Sequence, residues 1–151
     1  MPIGGILGSD LVEQRPDWKV IDKMLFIPAI RPDVALFHAR WADEAGNVWV
    51  GRRRELATVA HAAKTVLVTF EELRAGDMLE DELLAPGVIS SIYVSAVAHA
   101  PRGAWPLGVP SVYGADDLHL SQYAKAAKTR EGFQRYLEEW VLTQRKSFSP
   151  A

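Results

Sequence analysis

The sequence of 151 residues contains no cysteine. Without a thiol, the chain can form no disulfide framework, no thiolate zinc site and no cysteine nucleophile. Long apolar runs are also lacking, since a run such as residues 65–70 is far too short to span a bilayer. The N-terminus does not have the layout of a signal peptide. These absences predict a cytoplasmic protein that makes no contact with a membrane.

An excess of charge of either sign is missing as well. The chain has 17 lysines and arginines against 19 aspartates and glutamates, and its formal net charge is −2. Domains that bind nucleic acid usually carry a concentrated positive surface, so we expect no nucleic-acid partner. The run Arg52-Arg53-Arg54 is the local exception. Because Glu55 follows it, a solvated helix start or a contact between subunits is the favoured interpretation.

Motifs that hold metals or nucleotides do not occur. No two of the four histidines have the i, i+4 spacing of a helical metal pair. The chain has no P-loop and no Gly-x-Ser-x-Gly elbow, and no strand precedes the glycines at positions 4, 5 and 8. We therefore expect no metal site and no nucleotide-binding fingerprint.

The composition that is present, 48% hydrophobic and 24% charged, fits one globular domain over residues 1–151. Hydrophobic spacing predicts strands at 25–28, 32–39, 48–50, 65–70 and 88–98, and helices at 53–64 and 118–142, the second broken at Gly132. Turn residues at 43–47 predict a tight reversal after the second strand. The order of strand, helix and strand predicts an α/β fold with an open, mostly parallel sheet and flanking helices.

Four stretches carry a resemblance to a known family. They are Gly8-Ser9-Asp10-Leu11, residues 28–48, residues 62–73, and Gly103-Ala104-Trp105-Pro106 followed by Tyr113. In this order they resemble the C-terminal half of α subunits of CoA-transferases of the glutaconate and 3-oxoacid type. The strand, glycine-rich loop and remaining first half of such α subunits are not in this chain. That gap, with the glycine-rich opening, predicts a truncated or split subunit, or alternatively a start site with a disordered leader.

The resemblance implies a component of an enzyme that moves CoA between an acyl-CoA and a carboxylic acid. The nucleophilic glutamate of such enzymes lies on a β-type subunit, so the catalytic residue is expected on a partner. CoA is then a co-substrate, no cofactor is bound permanently, and the assembly is a hetero-oligomer or a homodimer. Two alternatives stay open: a CoA-ester hydrolase or ring-cleaving relative on the same scaffold, and a non-catalytic remnant that only binds a partner. Trp105 stands where the family often has histidine, which bears on the reaction class.

The first candidates for substrate or CoA binding are Ser9, Asp10 and Glu71. Ser9 and Asp10 follow a glycine in a loop whose amides could meet a carboxylate or thioester oxygen, although a plain Asx-type turn explains them equally well. Glu71 and its neighbour Glu72 follow a predicted parallel strand, where ligand sites of open α/β sheets form. A structural role, as a cap or the partner of an arginine, is the favoured interpretation of these two glutamates.

The remaining candidates are Arg102, Gly103 and Tyr113. A guanidinium at Arg102 could hold a substrate carboxylate by two hydrogen bonds, against the alternative of an exposed loop arginine without a fixed partner. Gly103 and Tyr113 are candidates through the resemblance alone. The arginine run at 52–54 is a further candidate for contact with CoA phosphates. Trp41 and Trp49 flank the predicted reversal and are expected to form an exposed interface patch.

Overall fold

The computed structural model describes residues 2–3 and 5–143. At the N-terminal end, strands β1 (Pro2–Ile3), β2 (Lys19–Ile21) and β3 (Met24–Phe26) form a small antiparallel sheet in the order β1-β3-β2. Helix α1 (Asp10–Gln14) lies between β1 and β2 in the chain. The hairpin between β2 and β3 turns at Asp22 and Lys23, both with positive φ, as a two-residue turn of this kind requires. Leu25, the first residue of the predicted strand at 25–28 and the central residue of β3, is fully buried.

A five-stranded sheet forms the centre of the molecule. It contains β4 (Val34–Asp43), β5 (Val48–Trp49), β6 (Thr65–Arg74), β7 (Val88–Ile89) and β8 (Ala96–His99), in the order β7-β5-β4-β6-β8. Helix α2 (Arg54–Ala62) connects β5 to β6. The long pairings β4–β6 and β6–β8 are parallel, and the short pairings of β5 with β4 and β7 are antiparallel. The predicted open α/β sheet is therefore confirmed, as a mixed sheet with a parallel centre.

The hydrophobic core lies on the face of this sheet that packs against α2. Alternate residues of β4 and β6 are buried there, because successive side chains of a strand point to opposite faces. Small side chains dominate on both sides, with Ala57 and Ala60 on the helix facing Ala35 and Ala39 on the strand. Small residues allow the helix to lie close to the sheet. The apolar spacing in segment 53–64 predicted the helix itself.

The predicted reversal after β4 is held by a buried polar network. The carboxylate of Asp43 accepts hydrogen bonds from the backbone and side-chain nitrogens of Asn47, both at 2.9 Å, and from the backbone N–H of Met78 at 3.0 Å. Asn47 Oδ1 in turn accepts from the backbone N–H of Ser91 at 2.9 Å. Gly46 sits at φ +84°, where a side chain is strained. The turn residues at 43–47 thus join three separate segments of the chain.

Two predicted strands have different bounds. Segment 88–98 is not one strand but β7 and β8, which lie at opposite edges of the sheet with a short 3₁₀ turn (Ser91–Tyr93) between them. The apolar composition of this run is typical of a strand. However, the backbone N–H of Ser91 donates a hydrogen bond to the side chain of Asn47, and the chain leaves the sheet at this point. Strand β6 continues to Arg74 because β4 continues beside it to Asp43. Glu71 and Glu72 consequently lie within a strand and not after it.

The predicted interface patch of Trp41 and Trp49 is partly buried and already paired. The two rings lie 4.7 Å apart, and the guanidinium groups of Arg40 and Arg74 lie 4.2 and 4.7 Å from the Trp41 ring centroid. Trp41 Nε1 also donates to Glu72 at 3.2 Å. Cation–π contacts of this kind cover aromatic surface that would otherwise face water. The expected exposed patch is therefore wrong.

The C-terminal helical region consists of α3 (Asp117–Ala126), α4 (Arg130–Leu137) and a π-helical turn (Glu138–Leu142). The break lies at 127–129, and Gly132 belongs to the first turn of α4, where Thr129 accepts its N–H. A Cβ at Gly132 would clash with the Ala126 carbonyl, so glycine permits this close turn. Four rings tie the region to the loop before it: Trp105, His119, Tyr136 and Trp140. Within residues 2–3 and 5–143, no helix has both the length and the apolarity to cross a membrane.

Candidate functional site

The loop 100–113 folds over the sheet face opposite α2, and the carboxylate of Glu71 is its anchor. Glu71 Oε1 accepts hydrogen bonds from Tyr113 Oη at 2.6 Å and from His38 Nε2 at 2.7 Å. Glu71 Oε2 accepts from the backbone N–H of Arg102 at 2.7 Å. The side chain of Glu71 is only 5% exposed. One carboxylate thus joins two strands and both ends of the loop.

The neighbours of Glu71 are held by further hydrogen bonds. His38 Nδ1 lies 2.8 Å from Thr69 Oγ1, its parallel-strand partner, and Tyr113 Oη accepts from the backbone N–H of Ala104 at 3.1 Å. His99 Nε2 lies 3.0 Å from the backbone oxygen of Glu71 and donates to it. Because ionised Glu71 accepts only, His38 donates through Nε2. The loop is therefore fixed to the sheet at several points.

This network shifts the acidities of two groups. Desolvation acts to raise the pKa of Glu71, but the hydrogen bonds from Tyr113, the Arg102 amide and His38 outweigh it and hold this pKa below the ordinary 4.5. Burial, followed by the hydrogen bond to Glu71, raises the pKa of Tyr113 above its ordinary 10.0. Glu71 is thus an anionic acceptor and Tyr113 a neutral donor across the neutral pH range.

Gly103 allows the loop to lie directly on His38. A Cβ at Gly103 would stand 2.8 Å from His38 Cε1 and 2.7 Å from the Ala100 carbonyl oxygen, closer than real Cβ atoms approach. A side chain at this position therefore displaces either the loop or the imidazole that bonds to Glu71. This contact explains why the loop needs glycine between Arg102 and Ala104.

Gly103→Ala is expected to lower the free energy of unfolding by about 2 kcal/mol, since overpacking a fixed contact costs on this scale. Urea unfolding followed by tryptophan fluorescence measures the change. Gly114→Ala is the matched control, because nothing lies within 4 Å of a Cβ at Gly114. Equal stability of the two variants would contradict the packing of Gly103 on His38.

Arg102 projects from the anchored loop. Its backbone has φ +58°, unusual for a residue with a side chain, and its guanidinium lies 5.1 Å from the centroid of the Tyr113 ring. The side chain is exposed and forms no hydrogen bond or ion pair with any residue in the described part of the chain. The backbone N–H of Arg102 thus binds Glu71, while its guanidinium lies over the Tyr113 ring and forms no ion pair with a described residue.

A cleft of about 1080 Å³ opens between segment 49–54 and the loop 103–111, with residues 37–40 of β4 between them. Arg52 and Arg53 line it and are exposed. Their backbones form hydrogen bonds within the turn, but neither guanidinium has a hydrogen-bond or ion-pair partner among the described residues. Arg54 instead donates to the Pro86 carbonyl at 2.7 Å. Gly103 and Ala104 form the opposite rim. One side of the cleft is therefore cationic and the other is built by the Glu71-anchored loop.

Of the predicted site residues, Glu71, Arg102, Gly103 and Tyr113 come together, whereas Ser9 and Asp10 do not join them. Ser9 precedes α1, and its hydroxyl donates to the Ile6 carbonyl at 2.9 Å. Neither Ser9 nor Asp10 lines the cleft. The local turn is thus the observed role of Ser9.

Three residues of the network carry no functional signal in the sequence: His38, Thr69 and His99. His38 lies inside an apolar strand, a pattern that predicts a core residue, and nothing local connects any of the three with Glu71. The signal that could have found the first two is the parallel register, since His38 and Thr69 are direct partners on adjacent strands. Over residues 2–3 and 5–143, no group of three or more His, Asp or Glu side chains could hold a metal ion.

No family model matches the chain. Three curated relatives are similar to it. The A subunit of the 3-oxoadipate CoA-transferase of Pseudomonas knackmussii is 33% identical over 147 residues, covering 89% of this chain and 49% of the relative. The A subunit of the glutaconate CoA-transferase of Acidaminococcus fermentans is 34% identical over 123 residues, covering 80% and 38%. The IpdA subunit of the cholesterol ring-cleaving hydrolase of Rhodococcus jostii is 23% identical over 133 residues, covering 86% and 45%.

Two solved structures share the fold. Glutaconate coenzyme A-transferase from Acidaminococcus fermentans matches with a TM-score of 0.85 and 28% identity, over 95% of this chain and 52% of that one. A variant of the decarboxylase AibA/AibB matches with a TM-score of 0.75 and 32% identity, over 95% and 53%.

The sheet and the loop over it therefore define an α/β protein of the CoA-transferase type. By sequence and fold, the chain belongs to the family of CoA-transferase A subunits, as the four stretches in its sequence predicted. It spans about half the length of the relatives that it matches.

Proposed function

We propose that this protein is the A-type (α) component of a CoA-transferase, moving CoA between an acyl-CoA and a carboxylic acid together with a β-type subunit. The observation that carries the proposal is its identity, above 30%, to the A subunits of two different CoA-transferases. Residues 1–151 would be a single domain that corresponds to the C-terminal part of such a subunit. CoA is then a co-substrate, and the assembly contains at least one partner chain.

The nucleophilic glutamate belongs on the partner in this proposal. A nucleophile needs a carboxylate oxygen that can reach the thioester, with donors around the developing oxyanion. Glu71 is the buried carboxylate beside the cleft, and its oxygens already accept three hydrogen bonds. This occupation supports a positioning role for Glu71, which holds the loop that forms one wall of the acyl pocket.

Transfer would proceed through two exchanges at the partner's glutamate. Its carboxylate attacks the thioester carbonyl and CoA thiolate leaves, which gives an acyl anhydride. The thiolate then attacks the glutamyl carbonyl and the first carboxylic acid leaves, so the acceptor acid can take CoA by the reverse steps. In this scheme Arg102 is the residue of this chain suited to a substrate carboxylate, because its guanidinium is exposed and has no hydrogen-bond or ion-pair partner among the described residues.

The experiment that tests the proposal measures native mass and acyl-CoA binding of the chain, first by itself and then mixed with a candidate β-type subunit. A heteromer that binds acyl-CoA and transfers CoA to an added carboxylate supports it. A monodisperse chain that ignores both the β-type partner and CoA contradicts it and favours a non-catalytic remnant.

A second candidate is a CoA-ester hydrolase or ring-cleaving enzyme on the same scaffold. It is favoured by the likeness to a component of a ring-cleaving hydrolase. The likeness to a decarboxylase shows that the same fold also occurs in an enzyme with a reaction other than CoA transfer. Trp105 is relevant here, because its indole packs on His119 and donates to Asp116 at 3.3 Å, where CoA-transferases often have histidine. Release of free CoA without an acceptor acid identifies this reaction, and dependence on the acceptor identifies transfer.

The double variant Arg52→Ala/Arg53→Ala is expected to weaken CoA binding by the heteromer about tenfold, or about 1.4 kcal/mol. The two guanidinium groups line the cleft without partners among the described residues and are suited to phosphate oxygens. Calorimetric titration with CoA and with pantetheine, which lacks the phosphates of the nucleotide, measures the change. A loss for CoA alone indicates a lost phosphate contact, and a loss for both ligands indicates damage to the pocket.

Arg31→Ala/Arg130→Ala is the matched control for that variant, because it removes the same charge from exposed positions outside the cleft. Its CoA affinity is expected to stay at the wild-type value. An equal loss in both double variants, or an equal loss for pantetheine, would show that Arg52 and Arg53 do not contact phosphate.

A further inference from the structure

The sheet face opposite α2 is covered at one end only. Around Glu71 the loop 100–113 lies over it, but at the beginning of the strands apolar side chains stand in water. Leu36 is 72% exposed, Val34 54% and Leu67 37%. Strands of a parallel sheet are normally buried on both faces, so half of this face lacks its covering layer.

The uncovered residues form one continuous surface. Leu36, Leu67 and Ala96 are direct partners across β4, β6 and β8, so their side chains stand in a row on the same face. None of these residues, nor Val34 beside them, carries a charge that would favour solvent. Contiguous apolar surface of this kind marks an interaction site.

The outer edge of β8 adjoins this row. All four residues of β8 are exposed, and among the described residues the strand pairs with β6 alone. Its outer N–H and C=O groups are therefore open to a further strand, and small side chains such as Ala96 and Ala98 put no bulk in the way. No charged residue or proline, which often protects a free edge, occurs within β8.

The length of the relatives indicates what covers this surface. This chain matches about half of the 3-oxoadipate relative, while 95% of it superposes on the solved glutaconate enzyme. The sheet with its exposed row thus corresponds to about half of the glutaconate enzyme's chain, and the other half of that chain has no equivalent here. We propose that Val34, Leu36, Leu67 and β8 form an assembly surface for a polypeptide equivalent to the half of these A subunits that this chain does not span. This assembly does not depend on which reaction the protein catalyses.

The absence of cysteine allows a direct test, since an introduced thiol is the one thiol in the chain. Leu36→Cys reports on the proposed surface, and Leu118→Cys on α3 is the matched control because Leu118 is also 72% exposed. Each variant is prepared in two forms, as the free chain and as part of a chimera. In the chimera, this chain replaces the matched segment of the A subunit from Acidaminococcus fermentans. Cysteines in the relative's segment are first changed to serine. Covalent linkage keeps the second half at high effective concentration.

The readout is the rate at which a water-soluble disulfide reagent modifies the thiol. In the chimera the rate at position 36 is expected to fall at least about tenfold relative to the free chain, while position 118 stays within about twofold. Equal rates at the two positions in the chimera would overturn the proposal. Protection of position 36 in the free chain, rising with concentration alongside a dimeric native mass, would overturn it in favour of a second copy.

Discussion

Glu71→Gln is expected to lower the free energy of unfolding by about 3 kcal/mol at neutral pH. The amide replaces charge-assisted hydrogen bonds from Tyr113 and His38 with weaker neutral ones, and its NH₂ group faces the backbone N–H of Arg102, which then lacks an acceptor. Urea unfolding at pH 7, followed by circular dichroism and tryptophan fluorescence, measures the loss. The loop 100–113 should also become more open to proteolysis.

The same variant has a distinct pH signature. Because the folded-state pKa of Glu71 lies below the ordinary 4.5, its ionisation contributes stability that is fully present above that pH and is lost as pH falls through the folded value. The difference in stability between wild type and Glu71→Gln should therefore shrink on acidification below about pH 4.5. A difference that stays constant between pH 7 and pH 3 would show that Glu71 does not act through its charge.

Glu72→Gln is the control for both measurements. Glu72 neighbours Glu71 on the same strand but is exposed, and its described side-chain contact is the 3.2 Å hydrogen bond from Trp41 Nε1. Exposed interactions of this kind contribute little, so the expected change is below about 0.5 kcal/mol. A loss equal to that of Glu71→Gln would locate the effect in the strand and not in the anchored loop.

Asp43→Ala is expected to cost about 3 kcal/mol or more. The carboxylate of Asp43 is 2% exposed, and its removal leaves the backbone and side-chain N–H groups of Asn47 and the backbone N–H of Met78 without that acceptor. Each buried donor left unpaired costs on the order of 1–3 kcal/mol. Hydrogen exchange should show early opening at 77–79 and at Ser91, which this network joins to the reversal.

Glu44→Ala is the matched control for Asp43→Ala, because Glu44 is the next residue in the chain, is exposed and has no described hydrogen bond. Its stability should match the wild type within about 0.5 kcal/mol. If both variants lose the same stability, the turn depends on local conformation and not on the buried network.

Local patterns predicted much of the fold. The apolar spacing of segment 53–64 gave helix α2, and the β-branched run at 65–70 gave the core of β6, because each pattern reflects burial of one side or both sides of a single element. The turn residues at 43–47 were sufficient for the reversal after β4. The prediction of one strand at 88–98 was wrong because local composition reports only on local structure. The composition of this run is typical of a strand, but the hydrogen bond that ends β7 comes from Asn47, over forty residues away.

The candidate site was predictable only in part. Arg102, Gly103 and Tyr113 were named through the resemblance, and Glu71 through its expected place at a strand end. No local signal joined Glu71 to His38 and Tyr113, which lie 33 and 42 positions away. The parallel register of β4 and β6 and the return of the loop bring these three together.

By itself, the sequence determined the α/β class, the family and the absence of any thiol chemistry, since these follow from residue types and short-range spacing. The tertiary structure decided which donors bind the carboxylate of Glu71, where the cationic rim of the cleft lies, and which part of the sheet remains uncovered. These features depend on strand order and register. Both arise from the packing of segments distant in sequence, and pairing between distant segments leaves no periodic trace in the chain.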